Sequence, residues 1–379
     1  MKTLHIHIGT PKTATTAIQT FCMENEAVLE SKSYCYPLFP YVYKKVAKGR
    51  NGHFLIGTIE DGSGNRRIED EEKRFRDSMR KIRELFQTFD HVILSEEDIW
   101  RLMDDYRKGL WEKIEREAKE AGFRIHIIVY LRRQDKYFIS NWNQNIKQKI
   151  GTFAESSFHE FLEKANKKTR LEYFEKLERV AKVVGKENIT VRRFDKGEFE
   201  GGSIYADFLF AIGLKLTDEY VISQGVRNVG LYGNIHEFKR VLNGLPQLED
   251  ASNERFIREL MLECSEISGE YYPCEMFSKE ETEAFLENYK AGNQKIAEEY
   301  LHEPDGNLFD YTVKDVPKWQ KENAFVYDDI IRFIGVMTSS LYEENQKLKS
   351  DIKELSDFAY RISHPLRSAL HSGKRKKED

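Results

Sequence analysis

Apolar positions follow two periods along the chain, and their alternation predicts strands separated by helices. Leu4 to Ile8 is a β-prone run that stops at Gly9, a Gly/Thr/Pro turn follows, and a Thr-rich segment then opens a helix-compatible stretch. This predicts strand, tight loop, helix. Ile18, Phe21, Cys22, Val28 and Leu29 keep near-helical spacing, so the helix is expected to run to about Leu29. Ser33 to Pro37 predicts an extended, aromatic-rich entry to a loop. Phe75, Met79, Ile82 and Phe86 fall three or four apart, an amphipathic helix over 75–86. His91 to Ser95 is the second strand, and Trp111 to Ala121 the next helix. Phe123 to Leu131 is apolar almost throughout, which suits a central parallel strand. Residues 156–184 predict helix, Ile189 to Phe194 a fourth strand, and a further helix opens at Gly201-Gly202-Ser203 and ends at Gly213. The repeated order predicts an α/β fold, a parallel sheet with helices on both faces in three layers.

After residue 233 the pattern becomes helical with loops. From Leu341, apolar residues recur at Leu348, Ile352, Leu355, Ala359 and Ile362, with polar Asn345 in the same stripe. Alternating steps of three and four make a short heptad pattern in which Asn345 sets register, so a homodimer is one expectation. The other is an amphipathic helix folded onto its own domain. The expected division is an α/β domain over 1–320 and a helical extension over 321–379.

Composition narrows the setting. The 379 residues, 40% hydrophobic, suffice for a large core. Sixty Lys and Arg against 64 Asp and Glu leave a net charge near −4, so nucleic acid is not an expected partner and any basic site is local. Four cysteines without a Cys-x-x-Cys pair fit a reducing compartment. There is no apolar run of about 18 residues and no basic and apolar leader. The expectation is a soluble cytoplasmic protein. Lys374 to Lys377 add a basic end suited to weak contact with the anionic inner membrane face. Residues 38–69, rich in Gly and carrying Lys44, Lys45, Lys48 and Arg50, read either as an acceptor-binding lid whose bases meet an acidic glycan or as a solvated insertion. His53 within them is a candidate proton acceptor. His5 and His7 share one strand face, but no third ligand lies near and a parallel strand buries both faces, so no metal is expected there.

Three clusters carry candidate chemistry. The loop Thr10-Pro11-Lys12-Thr13-Ala14-Thr15-Thr16 brings the first-turn N–H groups of a helix, its dipole, the hydroxyls of Thr13, Thr15 and Thr16 and the Lys12 ammonium toward one anion. It lacks the Gly-Lys-Ser/Thr ending of nucleotide-binding loops. Lys12 instead follows Pro11 at the loop tip. Glu96-Glu97-Asp98 ends the second strand, on the edge where α/β sheets bind ligands, though acids there also cap a following helix. Arg132, after the third strand, offers a planar charged fork, and Ser140 a hydroxyl eight residues on. Arg133 is the fallback, unless it is ion-paired with Asp135.

The first loop resembles that of the sulfotransferases that use 3′-phosphoadenosine 5′-phosphosulfate, which reads Pro-Lys-Ser/Thr-Gly-Thr-Thr. Ala14 stands where that family usually has Gly, and the backbone there is expected to avoid φ > 0. The Arg132 to Ser140 spacing is similar to the family's second diagnostic element, which grips the donor's 3′-phosphate. Ser95-Glu96-Glu97 is similar to the Ser-x-Glu of bacterial relatives, implying Glu97 first and Glu96 second as the base. Val191-Arg192-Arg193-Phe194 and Gly202-Ser203 through Asp207-Phe208 also look like bacterial polysaccharide sulfotransferases. Arg227-Asn228-Val229-Gly230-Leu231 resembles a segment written Asn-x-Ser-Leu, with Gly230 in place of Ser; Arg227 would add charge near the 3′-phosphate.

The resemblance spans residues 1–310. It implies a P-loop-like sulfotransferase fold, that donor without a metal, and a hydroxyl of a glycan or glycolipid precursor as acceptor. A small-molecule kinase, which should need Mg²⁺, and a non-catalytic nucleotide-binding scaffold are the alternatives.

Overall fold

The structure is a computed structural model that describes residues 1–44, 46–102, 109–165, 171–223, 230–303 and 305–363. In chain order it has β1 (Thr3–His7), α1 (Thr15–Glu24), α2 (Glu26–Ser31), β2 (Tyr34–Cys35), α3 (Ile68–Leu85), β3 (His91–Ser95), α4 (Asp98–Leu102), α5 (Leu110–Ala121), β4 (Arg124–Leu131) and α6 (Gln134–Lys147). There follow α7 (Phe158–Lys164), α8 (Tyr173–Val184), β5 (Ile189–Arg193), α9 (Ile204–Ala211), α10 (Asn234–Asn243), α11 (Ala251–Tyr271), α12 (Lys279–Glu287), α13 (Lys290–Ile296) and α14 (Val326–Ser363). Residues 1–144, 158–228 and 276–316 form one compact unit, and 145–157, 229–275 and 317–379 another.

The first unit holds a five-stranded sheet in the order β2-β3-β1-β4-β5, parallel at every pair. His7 lies opposite both Ser95 and Ile128, so β1, β3 and β4 run out toward one edge. The first loop, Glu96-Glu97 and Arg132 therefore all leave the sheet at its C-terminal side, which makes it the edge to search. One face buries Leu4, Ile6, Leu94 and Val129 beneath α3, α5 and α8. The other buries Ile93, Ile128 and Tyr130 beneath α1 and α9. Helices cover both faces, the three-layer α/β fold that the strand–helix alternation predicts.

Four details differ from the sequence pattern. The helix expected to reach Leu29 breaks at Asn25, whose amide donates to the carbonyls of Phe21 and Val221 and accepts from the Val221 N–H, competing with the helix ladder. Tyr34 and Cys35 form a short edge strand on β3. Helix α3 begins at Ile68, seven residues early, where buried Glu71 accepts from Arg66 and from the Ile59 N–H. Within residues 38–69, the stretch 49–57 is packed into the fold rather than solvated. Asn51 bonds the Pro37 and Ile93 carbonyls and the Ser95 N–H, while Phe54, Leu55 and Ile56 enter the core.

The expectation that no third imidazole lies near His5 and His7 is corrected by the fold, although no group of three or more such side chains among the described residues is arranged to hold a metal ion. His5 sits between His91 and His126 at 2.9 and 2.8 Å, and His126 reaches Thr190 Oγ1 at 2.8 Å, a chain of imidazoles across four strands. Burial pushes His7 down to about 3 and His126 to about 4, and, with His126 and His91 beside it, holds His5 well below 6.5. The unfolded chain protonates these rings near pH 6.5 and the folded one does not. Their stabilising contribution is thus full above about pH 6.5 and lost as pH falls toward the folded values. The melting temperature should fall steadily from pH 7 to 4.5, with a shallower slope in His126→Gln. An unchanged slope in that variant would remove the imidazole chain as its cause.

In the second unit, the fully buried Asp329 of α14 accepts from Asn234 at 2.8 Å and Ser268 at 2.6 Å, joining α10, α11 and α14. All four cysteines are free and buried. No described helix is long and apolar enough to cross a membrane.

Candidate anion and base site

The first loop is held by its own backbone. Gly9 takes φ 94°, and a Cβ there would stand 3.1 Å from Glu97 Cβ, so only glycine allows the loop to lie against the acids. Thr10 donates both its N–H and its hydroxyl to the Tyr130 carbonyl, at 3.0 and 3.1 Å. Thr13 donates its hydroxyl to the Thr10 carbonyl at 2.6 Å. That corrects one expectation: the Thr13 hydroxyl proton shapes the loop rather than pointing to an anion.

Ala14 corrects another. It takes φ 57° as the N-cap of α1, although a non-glycine residue there costs about 1 kcal/mol. The turn needs the left-handed conformation more than Ala14 resists it, and Lys12 at φ 71° shares that strain. Helix α1 has no side-chain cap and no acid in its first turn. Its dipole and first N–H groups therefore meet no carboxylate from the helix's own first turn. Pro11 and Lys12 are half-buried, Thr15 is buried and Thr16 exposed.

The two glutamates have different surroundings. Glu96 is fully buried, ion-paired with Arg50 and 2.8 Å from His53 Nδ1, and it accepts the Asp98 N–H at 2.9 Å. Arg50 also binds Asp98 at 2.7 Å. So Arg50, grouped with the lysines as a base facing acceptor, is committed to the acids, and Glu96 partly serves the capping role. His53 is bound to the same carboxylate. Glu97 keeps about 16% of its side chain exposed, accepts from Gln19 Nε2 at 2.8 Å and lies 3.6 Å from Arg50 Nε. Burial, then Glu96, raises its proton affinity above the usual carboxylate range, with Arg50 opposing. A carboxylate that is reachable, oriented and more basic than usual has the properties of a general base.

Gln19 and Gly52 are site residues that sequence reading missed. The same Gln19 amide lies 3.2 Å from Ser95 Oγ, which meets His7 Nδ1 at 2.9 Å, so a buried polar chain fixes the amide that orients Glu97. A polar residue at an inward position of α1, beside Ile18 and Cys22, is its signal in the sequence. At Gly52 a Cβ would stand 3.1 Å from Glu96 Cβ, a close approach that only the fold reveals.

Arg132 is half-buried at the end of β4. Its Nη1 donates to the Lys12 carbonyl at 3.2 Å and its guanidinium lies 5.7 Å from the centre of the Phe194 ring. Among the described residues no carboxylate pairs with it within 4.0 Å. Burial therefore makes its charge costly, with partial support from Tyr173 and Asp135. Arg133 is otherwise engaged, with two 2.9 Å bonds to Asp135 and others to the Asp310 and Thr312 carbonyls. Ser140 is half-buried on α6. Arg227 lies outside the described residues. A cavity of about 780 Å³ opens beside Arg133 and Arg193. Those arginines are held by Asp135, Glu303 and backbone carbonyls, while Lys136, also on its wall, lies 4.0 Å from Asp195.

No protein-family model matches the chain. An uncharacterized protein from Archaeoglobus fulgidus is 29% identical over 177 residues, which cover 46% of this chain and 45% of that protein. Among solved structures, the crystal structure of a sulfotransferase from Alicyclobacillus acidocaldarius is similar with a TM-score of 0.36 and 15% identity, covering 59% of this chain and 86% of that one.

Proposed function

We propose that the protein transfers a sulfuryl group from 3′-phosphoadenosine 5′-phosphosulfate to a hydroxyl of a glycan or glycolipid precursor. The observation that carries this reading is Arg132: a half-buried guanidinium that pairs with no carboxylate among the described residues, bonded to the carbonyl of Lys12, on the sheet edge where α1 presents its uncapped N-terminus. Two cationic centres joined through one loop suit a ligand with two separate phosphates. The sequence resemblance assigns the same two places to the donor's 5′- and 3′-phosphates.

In this reading Glu97 takes the acceptor proton and Lys12 with the α1 terminus stabilises charge gathering on the departing phosphate. Arg132 and Ser140 hold the 3′-phosphate. Gln19 keeps Glu97 turned toward the loop, and Arg50 with Glu96 anchors the strand end beneath it.

Calorimetry tests the donor class. Adenosine 3′,5′-bisphosphate should bind without metal, and at least tenfold tighter than ADP with or without Mg²⁺. Preference for ADP with Mg²⁺ would replace this reading with a kinase. Tight bisphosphate binding without transfer to any glycan acceptor would favour a scaffold.

A further inference from the structure

Helix α14 has two working faces, and its own unit covers only one. Around the buried Asp329, the side chains of Arg332, Phe333, Val336, Met337 and Ser340 are half-buried. The opposite face carries a heptad stripe that reaches ten residues further back than Leu341. Its a positions are Ile331, Thr338, Asn345, Ile352 and Ala359; its d positions are Ile334, Leu341, Leu348, Leu355 and Ile362. All ten are exposed, Ile331, Ile352 and Leu355 by about two thirds. Every side chain from Leu341 to Ala359 is exposed, so among the described residues none buries this stretch of the helix. Helices in water are held mainly by packing an apolar face, and this one has such a face with none of the described residues covering it.

We infer that α14 pairs with the same helix of a second copy as a parallel, in-register, two-stranded coiled coil over residues 331–362. Three features select that occupant. β-Branched residues at a, with leucine dominating d, favour two parallel strands. Asn345 at a meets Asn345 of the second copy only in the parallel register, where the two amides bond each other. An antiparallel pair would set it against an apolar d residue and bury an unsatisfied amide. The flanking charges agree. Glu344 at g faces Lys349 at e five residues on, twice by symmetry, while Asp351 faces Ser356 and Met337 faces Tyr342. No like charges oppose across the seam. An antiparallel pair sets g against g, bringing Glu344 near Asp351.

The test uses the full chain at micromolar concentration. Sedimentation should give twice the 44.7 kDa chain mass, and a variant with Leu348→Asp and Ile352→Asp should sediment at half the wild-type mass while still melting cooperatively, because both side chains are exposed. Leu341→Cys and Leu355→Cys, made separately, should each cross-link on oxidation against a low background from the four buried native thiols. Antiparallel pairing allows at most one of them to do so. A monomeric wild type, a dimer that survives the double aspartate change, cross-linking at only one of the two positions, or a monomer that instead binds anionic vesicles through this stripe would each overturn the inference.

Discussion

Glu97→Gln should lower transfer by about 10²- to 10⁴-fold, the usual contribution of a positioned general base, while leaving the melting temperature at pH 7.5 unchanged or higher. The pairing of outcomes follows from the surroundings of the carboxyl. Burial and the neighbouring Glu96 raise its folded proton affinity. An acid whose folded pKa is raised contributes stability below its ordinary value, near 4.3, and that contribution is lost as pH rises through the folded pKa. At neutral pH the ionised Glu97 thus burdens the fold, and glutamine removes the charge while still accepting from Gln19. Wild-type transfer should decline with acidification through a midpoint above the ordinary carboxylate range. Glu96→Gln should behave oppositely in stability. It weakens one partner of the Arg50 guanidinium, which keeps Asp98 at 2.7 Å, at a cost of about 1–3 kcal/mol. Full transfer in Glu97→Gln would remove the base assignment, and a large loss of stability there would make Glu97 structural.

Much of this arrangement was legible before any coordinates. Strands read from β-prone and apolar runs, because a parallel sheet covered on both faces demands them at β1, β3, β4 and β5. The positions of Lys12, Glu96, Glu97 and Arg132 at strand ends followed from the same reading. What was hidden depends on contacts distant in sequence. Glu96 and Glu97 look alike in a row of acids, and only the fold brings Arg50 and His53, more than forty residues away, to one and Gln19 to the other. Residues 49–57 read as loop because their glycines and polar residues carry no period. Their order comes from Asn51, which replaces missing ladder bonds at the end of β3. Ala14 was misread for a local reason: propensity argues against φ > 0 at alanine, but the anchored Thr10 and Thr13 impose it. Arg132 and Arg133 differ only through their neighbours, since Asp135 and two carbonyls take one and leave the other paired with no carboxylate among the described residues.

That difference sets the second large effect. Arg132→Ala should weaken adenosine 3′,5′-bisphosphate by about 10²-fold, the equivalent of about 3 kcal/mol, while changing adenosine 5′-monophosphate little. The two ligands differ only in the 3′-phosphate, so their affinity ratio isolates the group that Arg132 is proposed to hold. In the wild type the ratio should be large and should shrink with added salt. In Arg132→Ala it should approach one. Arg132→Lys keeps the charge but not the planar fork, so it should recover only part of the ratio. Stability separates binding from folding. The guanidinium pairs with no described carboxylate, so its removal relieves a desolvated charge in exchange for one bond to the Lys12 carbonyl and the contact with Phe194. The apo melting temperature should therefore move little, whereas the shift produced by saturating bisphosphate should largely vanish. If the ratio survives in Arg132→Ala, another group holds the 3′-phosphate and Arg132 serves the loop alone. If both nucleotides weaken together and the apo protein melts early, the loss comes from the Lys12 loop collapsing, and the unpaired charge has a structural origin.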